Sequence, residues 1–345
     1  MQALVVTPGK ARSARIESVP DARPRADVVL LRPLEVGVCG TDVEISAGLF
    51  GVAPDGERDL VLGHELLAEV AEDGGGFSAG DLVAATVRRS CGHCGACADG
   101  SPDSCLTGDY TERGITRLHG FASELTAERG EHLVPIPRSL GRLGVLAEPS
   151  SVCARAIRHA RAIGGRQSWE PSRALVLGAG AIGVLSTLFL RLEGFEVWTA
   201  SREPAQSERA QLVAAAGATY ATVEEAGDVG FDLVVEAAGS AELMTRALGL
   251  LRRNGVVCIL GIDGHEGTVP LERRTIGIDT VIQNHSLFGS VNAHPRDWAR
   301  AVELLGEVRA RWPDAADRLV GLRVDPDDFQ RAFDFDGVKA TVRFA

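Results

Sequence analysis

The 345-residue sequence contains no apolar run near the roughly 20 residues that a membrane span requires. Its N-terminus, MQALVVTPGK, opens directly in strand-like text, without the basic start and apolar stretch of a secretory signal. A cytoplasmic protein with no membrane partner is therefore expected. Basic excess is missing too. The formal net charge is −11, and nucleic acid needs a basic face, so no nucleic-acid partner is expected. Lysine is nearly absent: Lys10 and Lys339 are the only two, and every other basic side chain is arginine, a bias that reads as genome composition rather than chemistry.

What is present is cysteine in one place. Cys91, Cys94, Cys97 and Cys105 crowd into "CGHCGACADGSPDSC", while Cys39, Cys153 and Cys258 stand apart. In a cytosolic chain such a cluster binds metal more readily than it forms disulfides. Four thiolates satisfy a tetrahedral Zn²⁺, and a closed site of this kind is structural. The alternative, a redox pair, needs two cysteines rather than four at these spacings.

The length suits two domains better than one core. Up to about residue 150 the text is punctuated by Gly, Pro and Asp between short apolar runs, which predicts a mostly β domain with many loops. Beyond Glu148 the character changes. "LAEPSSVCARAIRHARAI" has helical spacing, and strands such as "FDLVVEAAG", "GVVCILG" and "HSLFGSV" then alternate with helices such as "SAELMTRALGLL" and "PRDWARAVELL". That alternation predicts βαβ units and a parallel sheet covered on both faces. After about residue 310, "DRLVGLRVDPDDFQRAFDF" and "KATVRFA" return to β-like text and rejoin the first domain.

"LVLGAGAIG" places Gly178, Ala179, Gly180, Ala181, Ile182 and Gly183 between a predicted strand and a predicted helix. In that context G-x-G-x-x-G is a dinucleotide fingerprint: the first Gly permits the tight turn, the second the approach of a pyrophosphate, and the third close helix–strand packing. The pyrophosphate meets the positive end of the helix. An acidic residue about 20 positions on would bind a ribose 2′-hydroxyl. Here "VWTASREP" has Ala200 or Ser201 at that place and Arg202 next. A small polar residue beside a guanidinium suits a 2′-phosphate, so NADP is preferred and NAD tolerated. Glu203, one residue further, weighs slightly the other way.

A catalytic zinc keeps one coordination position open. The candidates for its ligands are Cys39 in "VGVCGTD", His64 and Glu65 in "VLGHELLAEV", and Glu148 in "LAEPSS". Taken singly, they also read as a small core residue, a turn histidine with its neighbour, and a helix N-terminal acid. Together with a dinucleotide site they point to alcohol oxidation, in which zinc lowers the pKa of a hydroxyl and Thr41 takes the proton.

The set "VCGTD", "LGHE", the four-cysteine lobe, "GAGAIG" and "EAAG" resembles the zinc-dependent medium-chain dehydrogenase/reductase family, in order and over nearly the whole chain. "ATVRRSCGHC", "DYTERGITRLHGFASE", "LVPIPRSLGRLGVLAEPSSV" and "LFGSVNAH" resemble its glucose dehydrogenase branch. The resemblance implies an α/β protein: a GroES-like, mostly β catalytic domain carrying both zincs over 1–157, a doubly wound Rossmann domain over 158–296, and a return segment over 297–345. It implies two zincs per chain, the catalytic one on Cys39, His64 and Glu148, with Glu65 adjacent and itself a ligand in some members. It implies Thr41, Arg89, Ser90, Glu112, Glu148 and Asn292 around the substrate, with Asn284 and His285 as further candidates. Along the cofactor it implies Ala238, Gly239, Leu260, Gly261, Ser290, Val291 and Asn292 beside the glycine turn and the Ser201–Arg202 pair.

The expected reaction is oxidation of an aldose, glucose or galactose, at C1 to the lactone by a homo-dimer or homo-tetramer. A polyol substrate accounts for the several polar groups, since each sugar hydroxyl needs a partner in a buried pocket. Two alternatives remain open at this point. One is a dehydrogenase of a cyclitol, aminocyclitol or modified-sugar intermediate; the other is a non-catalytic dinucleotide-binding protein.

Overall fold

The computed structural model describes residues 1–23 and 28–344. Their contacts divide the chain into two compact units: 1–151 with 292–305 and 320–345, and 152–291 with 306–319. Where the sequence suggested a return segment beginning at 297, the chain re-enters the first unit at Asn292, and 306–319 packs with the second.

The first unit is built on strands, as its short apolar runs suggest. Its main sheet runs Leu133–Pro135, Leu82–Ala85, Glu65–Val70, Val29–Val38, Lys339–Arg343 and Val320–Val324, with Thr126–Glu128 also paired to Val29–Val38. Pro33 interrupts the long strand Val29–Val38, and the register slips there between Pro33 and Glu35. A proline lacks the N–H of a regular ladder and is tolerated at such an irregularity. Beyond the slip, Gly37 lies opposite Glu65, and Val38 opposite Ala340 of the final strand. Leu4, Leu31, Leu60, Leu66 and Phe121 fill the core of this unit.

Two features of this unit were not legible in advance. A helix, Gly40–Ser46, follows Cys39 directly. "DDFQRAFDF", read as β-like, contains the short helix Phe329–Phe333. There the spacing of Phe329 and Phe333 by four residues stacks their rings edge to face at 5.4 Å, which a strand would separate.

The second unit has the expected parallel sheet, in the order Thr219–Ala221, Glu196–Ala200, Arg173–Leu177, Phe231–Glu236, Leu251–Ile259 and Ser286–Gly289. Strands buried on both faces read as continuous apolar runs, and "RALVL" and "FDLVVE" obey that rule. The order reverses at Arg173–Leu177, whose C-terminal end delivers the glycine turn into the helix Ala181–Leu192. In open α/β sheets, ligands sit at this switch point.

Candidate active site

Cys39 ends the strand Val29–Val38 and precedes the helix Gly40–Ser46. Asp42, in the first turn, accepts the Cys39 backbone N–H on Oδ2 at 3.0 Å and the Gly63 N–H on Oδ1 at 3.3 Å. One buried carboxylate thus ties the Cys39 loop to the loop carrying His64, and Nδ1 of His64 lies 3.9 Å from it. Asp42 was missed in the sequence, although an acid three residues after a helix start is a capping signal.

Cys39 Sγ and His64 Nε2 lie 3.3 Å apart. With a carboxylate oxygen of Glu65 they form a group whose ligand atoms all fall within 4.8 Å of one another. Glu148 is outside this group but near enough for the charges on His64, Glu65 and Lys339 to act on it. Burial pushes its carboxyl up to about 7, against the pull of His64. Burial likewise raises the Cys39 thiol. For His64, burial alone would lower the imidazole, but the charges on Cys39 and Asp42 outweigh it and raise it well above its usual value.

Three potential ligand atoms gathered this closely are an arrangement that a metal ion can bridge. Thiolate, imidazole and carboxylate together suit Zn²⁺, and Glu65 Oε2 is buried without any hydrogen-bond partner. These residues fit a catalytic zinc. Gly37 makes the room for Glu65: a Cβ at Gly37 would run into the Glu65 carboxylate.

The four lobe cysteines form the other metal-competent group among the described residues, again with all ligand atoms within 4.8 Å. Cys94 and Cys97 sulfurs are 3.4 Å apart, and the Leu106 N–H donates to Cys94 Sγ. No disulfide joins any of the seven cysteines. An all-sulfur set with no open position fits structural Zn²⁺.

The residues expected around a substrate separate into two kinds. Thr41 is half-buried in the first helical turn, and its hydroxyl makes no hydrogen bond among the described residues. Glu112, on the strand Thr111–Arg113, accepts Arg88 Nε at 3.0 Å and Nη2 at 2.9 Å, both on Oε1. Arg88 was missed in the sequence; it stacks on Tyr110 at 3.9 Å and holds Glu112 by one oxygen. The Arg89 guanidinium donates to Thr86 and Glu128. Ser90 donates to the Pro102 carbonyl at 2.5 Å, and Asn292 Nδ2 to the Asp103 carbonyl at 3.5 Å. Asn284 and His285 lie in the second unit, where Asn284 Nδ2 donates to Asn254 Oδ1 at 3.2 Å.

In the second unit the three fingerprint glycines can be tested one by one. Gly178 has φ +100, a left-handed conformation that favours glycine. A Cβ at Gly183 would collide with the Gly178 carbonyl, so this glycine sets the helix–strand approach. A Cβ at Gly180 would meet nothing within 4 Å: the space over the helix N-terminus is open. That is the cradle a pyrophosphate fills. Gly239 and Gly261 pack closely on each other: a Cβ on Gly261 would strike the Gly239 backbone. Ala238 and Leu260 flank them, and the backbone N–H groups of Ala238 and Leu260 both donate to Glu236, the first to its side chain and the second to its carbonyl. Glu236, fully buried, has Oε2 without a partner and was not singled out in the sequence. Ser290 N–H donates to the Ile259 carbonyl at 3.0 Å and leads into the exposed Val291.

At the end of the strand Glu196–Ala200, Ser201 Oγ donates to Glu203, which also pairs with Arg209. Burial alone would raise the Glu203 carboxyl, but these bonds hold it below its ordinary value. Its charge is therefore balanced inside the protein. Arg202 is exposed and has no hydrogen-bond or ion-pair partner among the described residues.

Residues 25–138 match the alcohol dehydrogenase GroES-like domain and residues 141–344 the glucose dehydrogenase C-terminus. Among curated proteins, glucose 1-dehydrogenase of Methanocella arvoryzae is 42% identical over 94% of this chain and 93% of its own. Glucose 1-dehydrogenase of Thermoproteus tenax is 39% identical over 96% of both. Among solved structures, Haloferax mediterranei glucose dehydrogenase in complex with NADP, zinc and gluconolactone superposes with a TM-score of 0.91 at 32% identity, over 100% of this chain and 99% of that one.

Proposed function

The chain belongs to the zinc-dependent medium-chain dehydrogenase/reductase family, in its glucose dehydrogenase branch, and from that premise we propose that it oxidises an aldose, glucose or galactose, at C1 to the lactone, with NADP the preferred acceptor and NAD tolerated. The observation that carries this reading is the group of half-buried Cys39 with buried His64 and Glu65, whose donors gather within 4.8 Å. Two relatives of matching length are named glucose 1-dehydrogenases, and a neighbour of the same fold holds NADP, zinc and gluconolactone.

When bound, zinc supplies Lewis-acid polarisation of the reacting hydroxyl and NADP the hydride acceptor. Cys39, His64 and Glu65 would hold the metal, with Glu148 as the carboxylate able to join or replace Glu65. Thr41 accepts the proton of the reacting hydroxyl while passing its own to solvent water, which reaches this half-buried side chain; among the described residues no group occupies its hydroxyl. Glu112 accepts sugar hydroxyls through Oε2, since Arg88 occupies only Oε1. Asn292 adds an amide that both donates and accepts. Gly180 leaves the pyrophosphate its space, and Arg202 meets the 2′-phosphate as a free guanidinium. Cys91, Cys94, Cys97 and Cys105 hold the second zinc and do no chemistry.

We read the assembly as a homo-dimer or homo-tetramer. The strand Ser286–Gly289 has an open edge, and Val281, Ile282, Leu287 and Val291 are exposed around it. No helix among the described residues is long and apolar enough to cross a membrane, and we place the enzyme in the cytoplasm.

The test is cofactor reduction, followed spectrophotometrically, with NADP and then NAD against D-glucose, D-galactose, D-xylose and myo-inositol, with and without a chelator. Rapid, chelator-sensitive NADP reduction by an aldose is expected. No reduction with any aldose, at saturating NADP and zinc, would overturn the aldose reading. A response to myo-inositol alone would move the substrate to a cyclitol.

A further inference from the structure

In the turn 100–103, between Cys97 and Cys105 of the four-cysteine lobe, the carbonyls of Gly100, Pro102 and Asp103 accept side-chain hydrogen bonds from residues outside the lobe. Ser90 Oγ donates to Pro102 at 2.5 Å, and Arg88 Nη1 to Asp103 at 3.2 Å. Asn292 Nδ2 donates to the same Asp103 carbonyl at 3.5 Å, and His294 Nε2 to the Gly100 carbonyl at 2.7 Å. Arg88 is the residue that braces Glu112. The lobe therefore has a hydrogen bond to each of Ser90 and Asn292, and one to the partner of Glu112.

His294 is the best made of these links. Its backbone N–H donates to Asp297 Oδ2 at 3.1 Å and its carbonyl accepts the Asp297 N–H at 2.7 Å, so it caps the helix Pro295–Arg311. Its Nδ1 accepts the Arg296 N–H at 3.1 Å, which leaves the proton on Nε2, the atom that faces Gly100. Tautomer and ring position are thus both determined by the helix cap. Asn292 is two residues earlier, at φ +66, where the chain re-enters the first unit. Its own bond of 3.5 Å lies at the limit of hydrogen bonding and cannot alone hold a left-handed residue in place.

We propose that the four-cysteine lobe positions the sugar site, and that His294 is the positioning residue that fastens Asn292 to it. The proposal rests on the reading of Asn292 and Glu112 as sugar contacts. Free energy stored in such a link is reciprocal: loosening it frees the sugar-side residues and also loosens the lobe. Zinc release from the lobe should therefore respond to a change at His294, which is not one of its ligands.

The experiment compares the intact enzyme with His294→Ala and His294→Gln, the glutamine amide being able to donate where Nε2 does. KM and kcat for glucose are measured at saturating NADP, and zinc release from the lobe is followed with a chromogenic chelator. In H294A, KM for glucose is expected to rise about three- to tenfold with kcat within about twofold, the range a lost neutral hydrogen bond covers. Zinc release should accelerate by a similar factor, and H294Q should restore both. An unchanged KM, an unchanged release rate, or a loss shared by H294Q would overturn the link. Failure of the sugar reading looks different: the unaltered enzyme would then reduce no cofactor with an aldose, and zinc release would still report on the latch.

Discussion

Lys339 Nζ lies 2.6 Å from Glu65 Oε1, and both side chains are only 2% exposed. In a chain with two lysines among its 36 basic residues, one of the two is buried beside a candidate metal ligand. Its ammonium also donates to the Val38 carbonyl at 3.2 Å. An ammonium is a compact point charge, whereas a guanidinium is a planar fork that needs more room. Burial alone would lower the Lys339 ammonium, but the charges on Glu65 and Cys39 outweigh it and raise it. By holding Oε1, Lys339 leaves Oε2 of Glu65 as the oxygen able to serve a metal.

Lys339→Met is therefore expected to be costly. It strands a buried carboxylate, a change worth about 3–5 kcal/mol when one partner of a buried pair is removed. Denaturant unfolding should show the drop, and zinc analysis should show Glu65 bound more tightly to the metal or the metal lost. Wild-type stability in K339M would refute the assignment.

The fingerprint glycines should separate by function. Gly180→Ala meets open space at an ordinary φ, so stability should change by no more than about 0.5 kcal/mol. Its methyl group occupies the pyrophosphate's space, and the Kd for NADP should rise by about tenfold or more. Gly183→Ala collides with the Gly178 carbonyl and should instead lose about 1–3 kcal/mol of stability. Calorimetric titration with NADP and thermal unfolding, run on both variants, decide the matter.

Arg202→Ala tests the cofactor preference. A charge-assisted bond to a phosphate is worth about 1.5–3 kcal/mol, so kcat/KM with NADP should fall roughly 10- to 100-fold while that with NAD stays within about twofold. Equal losses with both cofactors would remove Arg202 from the 2′-phosphate site.

Glu128 should shape acid stability. It is buried between Arg89 and Arg113; burial alone would raise its carboxyl, but the two guanidinium groups hold it below the usual carboxylate value. A folded pKa below the unfolded value of about 4.3 means stability that is complete above that pH and is lost as pH falls through the folded pKa. Chemical unfolding between about pH 6 and pH 3 should show less acid dependence in Glu128→Gln than in the parent, with lower stability at neutral pH because two half-buried guanidinium groups lose their counter-charge. Parallel pH profiles would remove Glu128 from the acid transition.

Features written in neighbouring residues were legible in the sequence. The glycine turn between strand and helix, the four cysteines and the alternation of strands with helices depend on spacing along the chain, and the parallel sheet and the four-sulfur group follow from it. The grouping of Cys39 with His64 and Glu65 could be suspected from residue types, but those types also suit ordinary core and turn positions. Tertiary structure alone decided how the charges are paired. Glu65 and Lys339 are 274 residues apart and meet because the last strand lies antiparallel beside Val29–Val38, which in turn pairs with Glu65–Val70. Arg88 and Arg89 are neighbours with the same chemistry, yet one braces Glu112 and the other Glu128. Successive side chains of a strand point to opposite faces, so their partners depend on what the fold brings to each face.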